Sequence, residues 1–348
     1  MQAVISAVEV VLSIFLMISV GMLLTKFGWI QEKESRFLSR FVLKIALPAT
    51  IVSNIFEKFT AESLLGMAAG LIIPALSLLI AASVSFLLSR LLKIPENRRG
   101  AYVVMFTFSN SVFIGLPVCR ALFGEDAVSY TLIYYIANTT LFWTLGFSLM
   151  RRDGGKPKEE TSLRLIPEYI FSKDKSNSKY IPAKNALSRL NKAVPLPLIF
   201  LIVSSACVLL GVSLPDFVMS SAGYIGSSVT PLSLVYTGCV LMRMIRTKHM
   251  RFEKGYISIC IGRFILVPML VIGLSLIYKS ADPSSVLLTP VMLHTFIIEA
   301  SMPIMTQTTI VEAGCGGDDE YVAGATALTT ALSLLFIPAY MYVITSLL

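Results

Sequence analysis

Apolar runs of roughly bilayer-spanning length follow one another along this chain, separated by short polar or charged stretches. A spanning helix needs about 20 such residues. Ten segments qualify, near residues 4–25, 37–56, 63–89, 101–119, 127–149, 194–213, 221–242, 255–278, 285–311 and 321–346. Inside two of them the apolar pattern fails. Phe108-Ser109-Asn110-Ser111-Val112-Phe113-Ile114-Gly115-Leu116-Pro117-Val118 carries two serines, an asparagine, a glycine and a proline, and Glu299-Ala300-Ser301-Met302-Pro303-Ile304-Met305-Thr306-Gln307-Thr308-Thr309 has the same character. Both stretches are predicted to break their helices and to meet near the membrane midplane.

Composition turns this pattern into a class. The chain has 348 residues, 55% hydrophobic and 14% charged, with a mean hydropathy of +0.76. Soluble domains carry roughly 25% charged residues, so the chain is predicted to be an all-α polytopic membrane protein. The first apolar run has no basic segment before it and no small-residue cleavage pattern, so it is predicted to be retained. Cys119, Cys207, Cys239, Cys260 and Cys315 have no paired spacing and are read as small buried side chains, with neither disulfide framework nor metal site.

Charge gives orientation, not a nucleic-acid partner. Of 29 Lys and Arg residues, 24 fall in or beside alternate loops (26–36, 90–100, 150–193, 243–254 and 312–320), whereas the other loops hold only Lys58, Arg120 and Lys279. The positive-inside rule makes the first set cytoplasmic and both termini extracytoplasmic in a cell membrane. The basic, proline-dotted connector 151–193 is then a cytoplasmic linker, with attraction to anionic lipid as its sharper alternative.

The connector divides the chain into halves 1–150 and 194–348 with five segments each. An odd number per half gives the halves opposite topologies, so a repeat between them is inverted. Pro48 and Pro231 sit similarly in the second and seventh segments, as proline kinks. Gly124-Glu125-Asp126 follows the fourth segment and Gly317-Asp318-Asp319 the ninth. Aligning these turns sets Asn110 opposite Pro303. Gly66 and Gly70 add a small-residue pair suited to close helix packing.

Broken helices matter because unwound backbone in hydrocarbon must be satisfied by protein or by a water-filled cavity. Half-helix N-termini offer free amides and partial positive charge, which suit a carboxylate. Ser109, Ser111, Thr306 and Thr308 would add hydrogen bonds there without filling the space, with Asn110 and Gln307 beside them, Gly115 next to the first break, and Asn138 as a further lining residue. Asn110, Pro117, Pro303 and Ile304 are the predicted crossover residues, Pro117 shaping the second half-helix. Glu299 is the one carboxylate deep in a segment, either a proton or cation site or an acid kept neutral by a neighbour. His294 lies too near the outer end for a relay. Lys44 is read as snorkelling to the interface. Arg263 is read first as pointing to the cytoplasmic interface, with substrate attraction or pairing with an acid as alternatives. Two histidines and no hydrolase, metalloprotease or nucleotide-binding motif leave no enzyme signature, no metal and no cofactor.

Asn110-Ser111-Val112-Phe113-Ile114-Gly115-Leu116-Pro117-Val118 resembles the N-x-x-x-x-G-[IL]-P-[LV] signature of the auxin efflux carrier family. Ala300-Ser301-Met302-Pro303, Gly317-Asp318 and Ile337-Pro338 resemble its C-terminal signature, and Leu47-Pro48 fits its second helix. The resemblance implies ten helices, with helices 1, 2, 6 and 7 as scaffold and homodimer interface. Helices 3–5 and 8–10 would then move, with the fourth and ninth crossing at the site. It further implies elevator-like carriage of a small organic anion across the lipid bilayer: indole-3-acetate in plant members, small carboxylates such as malate in microbial ones. The short connector resembles the microbial members. Two positions depart from the plant pattern: Ser109 stands where those members have proline, and Ile304 where they have glutamine, with Gln307 coming later. Ion-coupled uptake, as in the distantly similar bile acid–sodium symporters with Glu299 as the coupling group, is the alternative carrier reading. A non-transporting anion sensor is the other.

Overall fold

A computed structural model describes residues 2–61, 69–124, 126–154, 196–247, 253–281 and 289–347. Where described, the ten apolar segments are mainly helical, with interruptions at 108–110 in the fourth and 301–307 in the ninth. The helices are α1 (Gln2–Lys26), α2 (Glu32–Lys58), α3 (Ile72–Leu91), α4 (Glu96–Thr107), α5 (Leu116–Phe123), α6 (Asp126–Leu141), α7 (Phe147–Asp153), α8 (Leu196–Leu209), α9 (Asp216–Arg246), α10 (Gly255–Ser280), α11 (Pro290–Ala300), α12 (Thr308–Cys315) and α13 (Asp319–Leu347). By length and composition α2, α3, α9, α10 and α13 could each cross a bilayer unbroken. Their outward faces are apolar: Leu79, Leu87, Ile257, Ile265, Met269, Leu276 and Leu335 are all exposed. That is a surface for lipid rather than water, and the protein is a polytopic all-α membrane protein. Most of the connector, residues 155–193, lies outside the described residues, as does Gly66. The helix before it, α7, reaches Asp153, beyond the predicted end of the fifth segment.

Four wide π-turns occur among the described residues, and all but Phe142–Gly146 show what proline does to these helices. These three span Val42–Ala46, Ser111–Gly115 and Gly262–Leu266, and each is followed two residues later by a proline, Pro48, Pro117 or Pro268. Proline lacks the amide that would bond the carbonyl four residues back, and its ring crowds that carbonyl. Widening the turn by one residue relieves the crowding and keeps the helix running. At Pro268 the released carbonyl belongs to Phe264, and the Tyr340 hydroxyl donates to it at 2.5 Å. Pro231 acts differently: α9 bends at Ser228, between Asp216–Ser227 and Val229–Arg246. The Thr50 hydroxyl of α2 donates to Gly226 O at 2.7 Å beside that bend. The two prolines matched in the sequence thus sit beside irregular turns in helices that pack on each other.

The helices fall into two packing groups. α1 lies along the second part of α9, and the second part of α2 packs on both α8 and the first part of α9. Gly21 and Gly238 let α1 and α9 approach backbone to backbone: a Cβ at either would come within 2.0 Å of a carbonyl oxygen across the interface, that of Val235 or of Ile18. Small residues at such crossings are the usual route to tight membrane-helix packing. In the second group α4 packs on α3 and α7, α6 on α11, and α10 on α3 and α11. α13 joins α12 in this group and also touches α1 and α9; α5 touches α1 as well, and α12 touches α2 and α9.

The ends of the second group are pinned by polar contacts. Asp153 at the end of α7 accepts from the amides of Gly100 (2.8 Å) and Ala101 (2.7 Å) in α4. Burial pushes its carboxyl up, and the two amides, with Arg99, hold it down. Arg98 pairs with Asp318 at 2.7 Å and Glu253 at 3.3 Å. Between the groups, Asp319 accepts from the Tyr236 hydroxyl of α9 at 2.8 Å, with Arg243 3.6 Å away.

Candidate substrate site at the crossing of two broken helices

Both predicted breaks are present. The fourth segment stops at Thr107, runs extended through Phe108, and resumes at Ser111. The ninth stops at Ala300 and resumes at Thr308. The two gaps touch. Ser109 and Ile304 form an isolated antiparallel bridge, and the Asn110 amide donates to Pro303 O at 2.9 Å. Unwound backbone that would be costly in hydrocarbon is therefore satisfied by the other break. Asn110 meets Pro303, the residue opposite it in the repeat alignment. The glycine with positive φ that ends α12 is Gly316 (φ +79°), one residue before the Gly317 used to anchor that alignment; Gly124, which ends α5, has φ +75°.

Pro117 does not lie at the crossing. It occupies the first turn of α5, after the π-turn that joins this helix to the break. There its missing amide shapes the resuming helix, and the crossover itself is Ser109 and Asn110 against Pro303 and Ile304.

Asn138 is the clamp of the first break. Its Nδ2 donates to Ser109 O at 2.9 Å and to Ser111 Oγ at 3.0 Å, while its Oδ1 accepts from the Ser109 amide at 3.3 Å. It is fully buried in α6. These bonds occupy its amide with protein partners, so it positions the crossover backbone. On the other strand of the crossing, the Ile304 amide points to Thr329 Oγ1 of α13 at 3.4 Å.

Other polar atoms at the crossing have no protein partner. Asn110 Nδ2, Thr306 Oγ1, Gln307 Oε1, Thr308 Oγ1 and Thr309 Oγ1 are all buried and unbonded among the described residues. Buried polar atoms are rarely left so in native proteins, and four of the five lie on residues 306–309 at the start of α12, whose Thr308 amide donates to Met305 O at 3.0 Å. Gln307 lines a narrow crevice with room for about 30 Å³, together with Tyr135, Thr139 and Trp143 of one packing group and Thr50, Asn54 and Val229 of the other. The crevice therefore opens along the seam between the groups.

Gly115 and Glu299 make a separate contact deeper in the protein. A Cβ on Gly115 would come within 2.3 Å of Glu299 Oε1. The Cys119 thiol lies 3.5 Å from the same oxygen, and Oε2 has no hydrogen-bond partner among the described residues. Glu299 is fully buried, with no basic side chain paired to it among the described residues. His294 stacks on Phe123, away from this carboxyl, with ring centroids 6.0 Å apart.

Arg263 corrects the sequence reading outright. It does not reach an interface; it is fully buried. Its guanidinium bonds the backbone carbonyls that end α4 and α11: Nη2 donates to Ala300 O at 2.7 Å and Met302 O at 3.1 Å, Nε to Met302 O at 3.2 Å, and Nη1 to Phe106 O at 3.3 Å and to Thr107 O. A charge in the middle of the apolar eighth segment was the visible signal; nothing local said which way it faced.

An all-helical membrane protein whose two interrupted helices cross inside the bundle has the architecture of a transporter. Comparison with known proteins agrees. The family described as "Membrane transport protein" matches residues 6–341, and the chain belongs to this family, that of the auxin efflux carriers. It is a transporter and not an enzyme. It is 24% identical over 342 residues to an uncharacterized transporter of Methanocaldococcus jannaschii, covering 97% of this chain and 98% of the relative. An uncharacterized transporter of Methanothermobacter thermautotrophicus is 21% identical over the same length, with the same coverage of each chain.

Proposed function

We propose that the protein is a secondary carrier that exports or exchanges a small organic anion by elevator-like alternating access. The observation that carries this reading is the contact of Ser109 and Asn110 with Pro303 and Ile304, ringed by unbonded polar atoms at the start of α12. In this reading residues 1–150 and 194–348 are inverted five-helix repeats joined by a cytoplasmic linker, 151–193. α1, α2, α8 and α9 are the scaffold of a homodimer in the cell membrane, with both termini extracytoplasmic. The remaining helices carry the site past it. The two packing groups and the crevice along their seam support the division. Asn110, Thr306 and Gln307 hold the carboxylate with the amides of α12, Ser109, Ser111 and Gly115 shape the first break, and Asn138 fixes it. Asn110→Ala in reconstituted vesicles is expected to abolish carboxylate flux while the purified protein melts within a few degrees of wild type. Wild-type flux in that variant sinks the site assignment.

A second reading, proton coupling through Glu299, is favoured by its complete burial and its unbonded Oε2. An intramembrane carboxyl without a basic partner is a natural proton carrier. Glu299→Gln is then expected to leave flux independent of an imposed pH gradient, where wild-type flux follows the gradient. Equal responses in both proteins would exclude coupling at this residue.

A further inference from the structure

The ends of α4 and α11 present four backbone carbonyls to one point: Phe106 O and Thr107 O from the first, Ala300 O and Met302 O from the second. C-terminal carbonyls of a helix carry its partial negative charge and have no partner within the helix. Two such ends converging inside a membrane protein form a cation seat, and carriers with broken helices bind their coupling cations at ends of this kind. Here the seat is already filled. The Arg263 guanidinium bonds all four carbonyls from a neighbouring helix, and no carboxylate pairs with it among the described residues.

We infer that Arg263 is a tethered cation standing in the position of an exchangeable one, so that the crossing is electrostatically complete without bound Na⁺ or K⁺. The chemistry suits the task. Guanidinium is planar, keeps its charge at any physiological pH, and offers five donors that reach several acceptors at once. Arg263 lies in the π-turn Gly262–Leu266 of α10, where the wide turn brings its side chain to the two ends. The consequence is a carrier whose binding site stays assembled in any salt and which moves its substrate without a co-transported metal cation. This rests on the carrier reading for its meaning in transport, but the seat itself can be tested without a substrate.

The experiment is thermal unfolding of the full-length protein in detergent, in choline, sodium or potassium chloride, or in choline chloride with millimolar guanidinium. Wild type is expected to melt at the same temperature in all four. Arg263→Ala is expected to melt lower in choline and to be restored saturably by guanidinium or Na⁺, by about 5 °C, since a ligand of the native state alone stabilises it by mass action. Saturable stabilisation of wild type by Na⁺ would overturn the inference, and so would a folded Arg263→Ala indifferent to every cation. If the alanine variant does not fold, Arg263→Lys decides: its ammonium keeps a tethered charge, so it is expected to fold and stay indifferent to Na⁺. Failure of the lysine variant alongside alanine would overturn the inference, because a tethered charge in the seat would then not be enough to hold the crossing together. Because no substrate enters these measurements, a failure to find transported carboxylates would count against the carrier reading alone.

Discussion

Asn138→Leu is expected to abolish transport and to cost the protein about 3 kcal/mol of stability, because two or three buried polar groups would lose their partner at roughly 1–3 kcal/mol each. Leucine nearly matches the volume, so the loss is one of hydrogen bonding and not of packing. The Ser109 carbonyl and amide and the Ser111 hydroxyl would all be stripped of the side chain that now bonds them. Ser109 is also the residue bridged to Ile304, so loosening it releases the contact between the two breaks. Asn138→Asp separates donor from acceptor. It keeps an oxygen for the Ser109 amide but sets another oxygen against the Ser109 carbonyl, and is expected to be no better than leucine. Heat-induced unfolding in detergent and flux in vesicles read both effects; a wild-type melting point for either variant would refute the clamp.

Gly115→Ala, a single methyl group, is expected to remove most transport and to lower the melting temperature. The added carbon would lie 2.3 Å from one Glu299 carboxylate oxygen, 2.5 Å from the other and 2.6 Å from the carboxyl carbon. Glu299 is fully buried, so its carboxyl would have to turn within the packed interior, and overpacking of this kind costs about 1–3 kcal/mol. The double variant Gly115→Ala/Glu299→Ala removes the collision and is expected to regain the melting temperature of Glu299→Ala alone. Flux then separates packing from chemistry: recovery with stability means the carboxyl is dispensable, while stability without flux means the carboxyl itself takes part. A silent Gly115→Ala would refute the contact between the π-turn before α5 and Glu299 of α11.

The breaks themselves were legible because polar residues and prolines seldom interrupt an apolar membrane segment unless its helix is disturbed there. Their partnership was nearly legible: aligning Gly124 with Gly317 set Asn110 against Pro303, the residue it bonds, although the glycine that ends α12 as Gly124 ends α5 is Gly316, one residue earlier. What escaped was direction. Arg263 lies only eight residues inside the predicted start of its segment, close enough to suggest the interface. Its orientation depends on where α10 sits against α4 and α11, which no local pattern encodes. Asn138 was legible as a polar residue but not as a clamp, since its partners lie 27 and 29 residues earlier across a break. Pro117 drew attention to the right stretch and the wrong atom, because proline reports a disturbed helix without saying whether the chain unwinds or only widens.

Widening has a geometric consequence in α2. Its buried positions include Ser35, Ser39, Leu43, Leu47, Ile51 and Ile55, a strict interval of four. In a regular helix each such step rotates the contact line by about 40°, so five steps would carry it roughly 200°, past the opposite side. The π-turn at Val42–Ala46 spends one extra residue on a single revolution and turns the line back by about a quarter circle. One side of α2 therefore stays against the protein for most of its length, and the angular phase of the second half is set by Pro48.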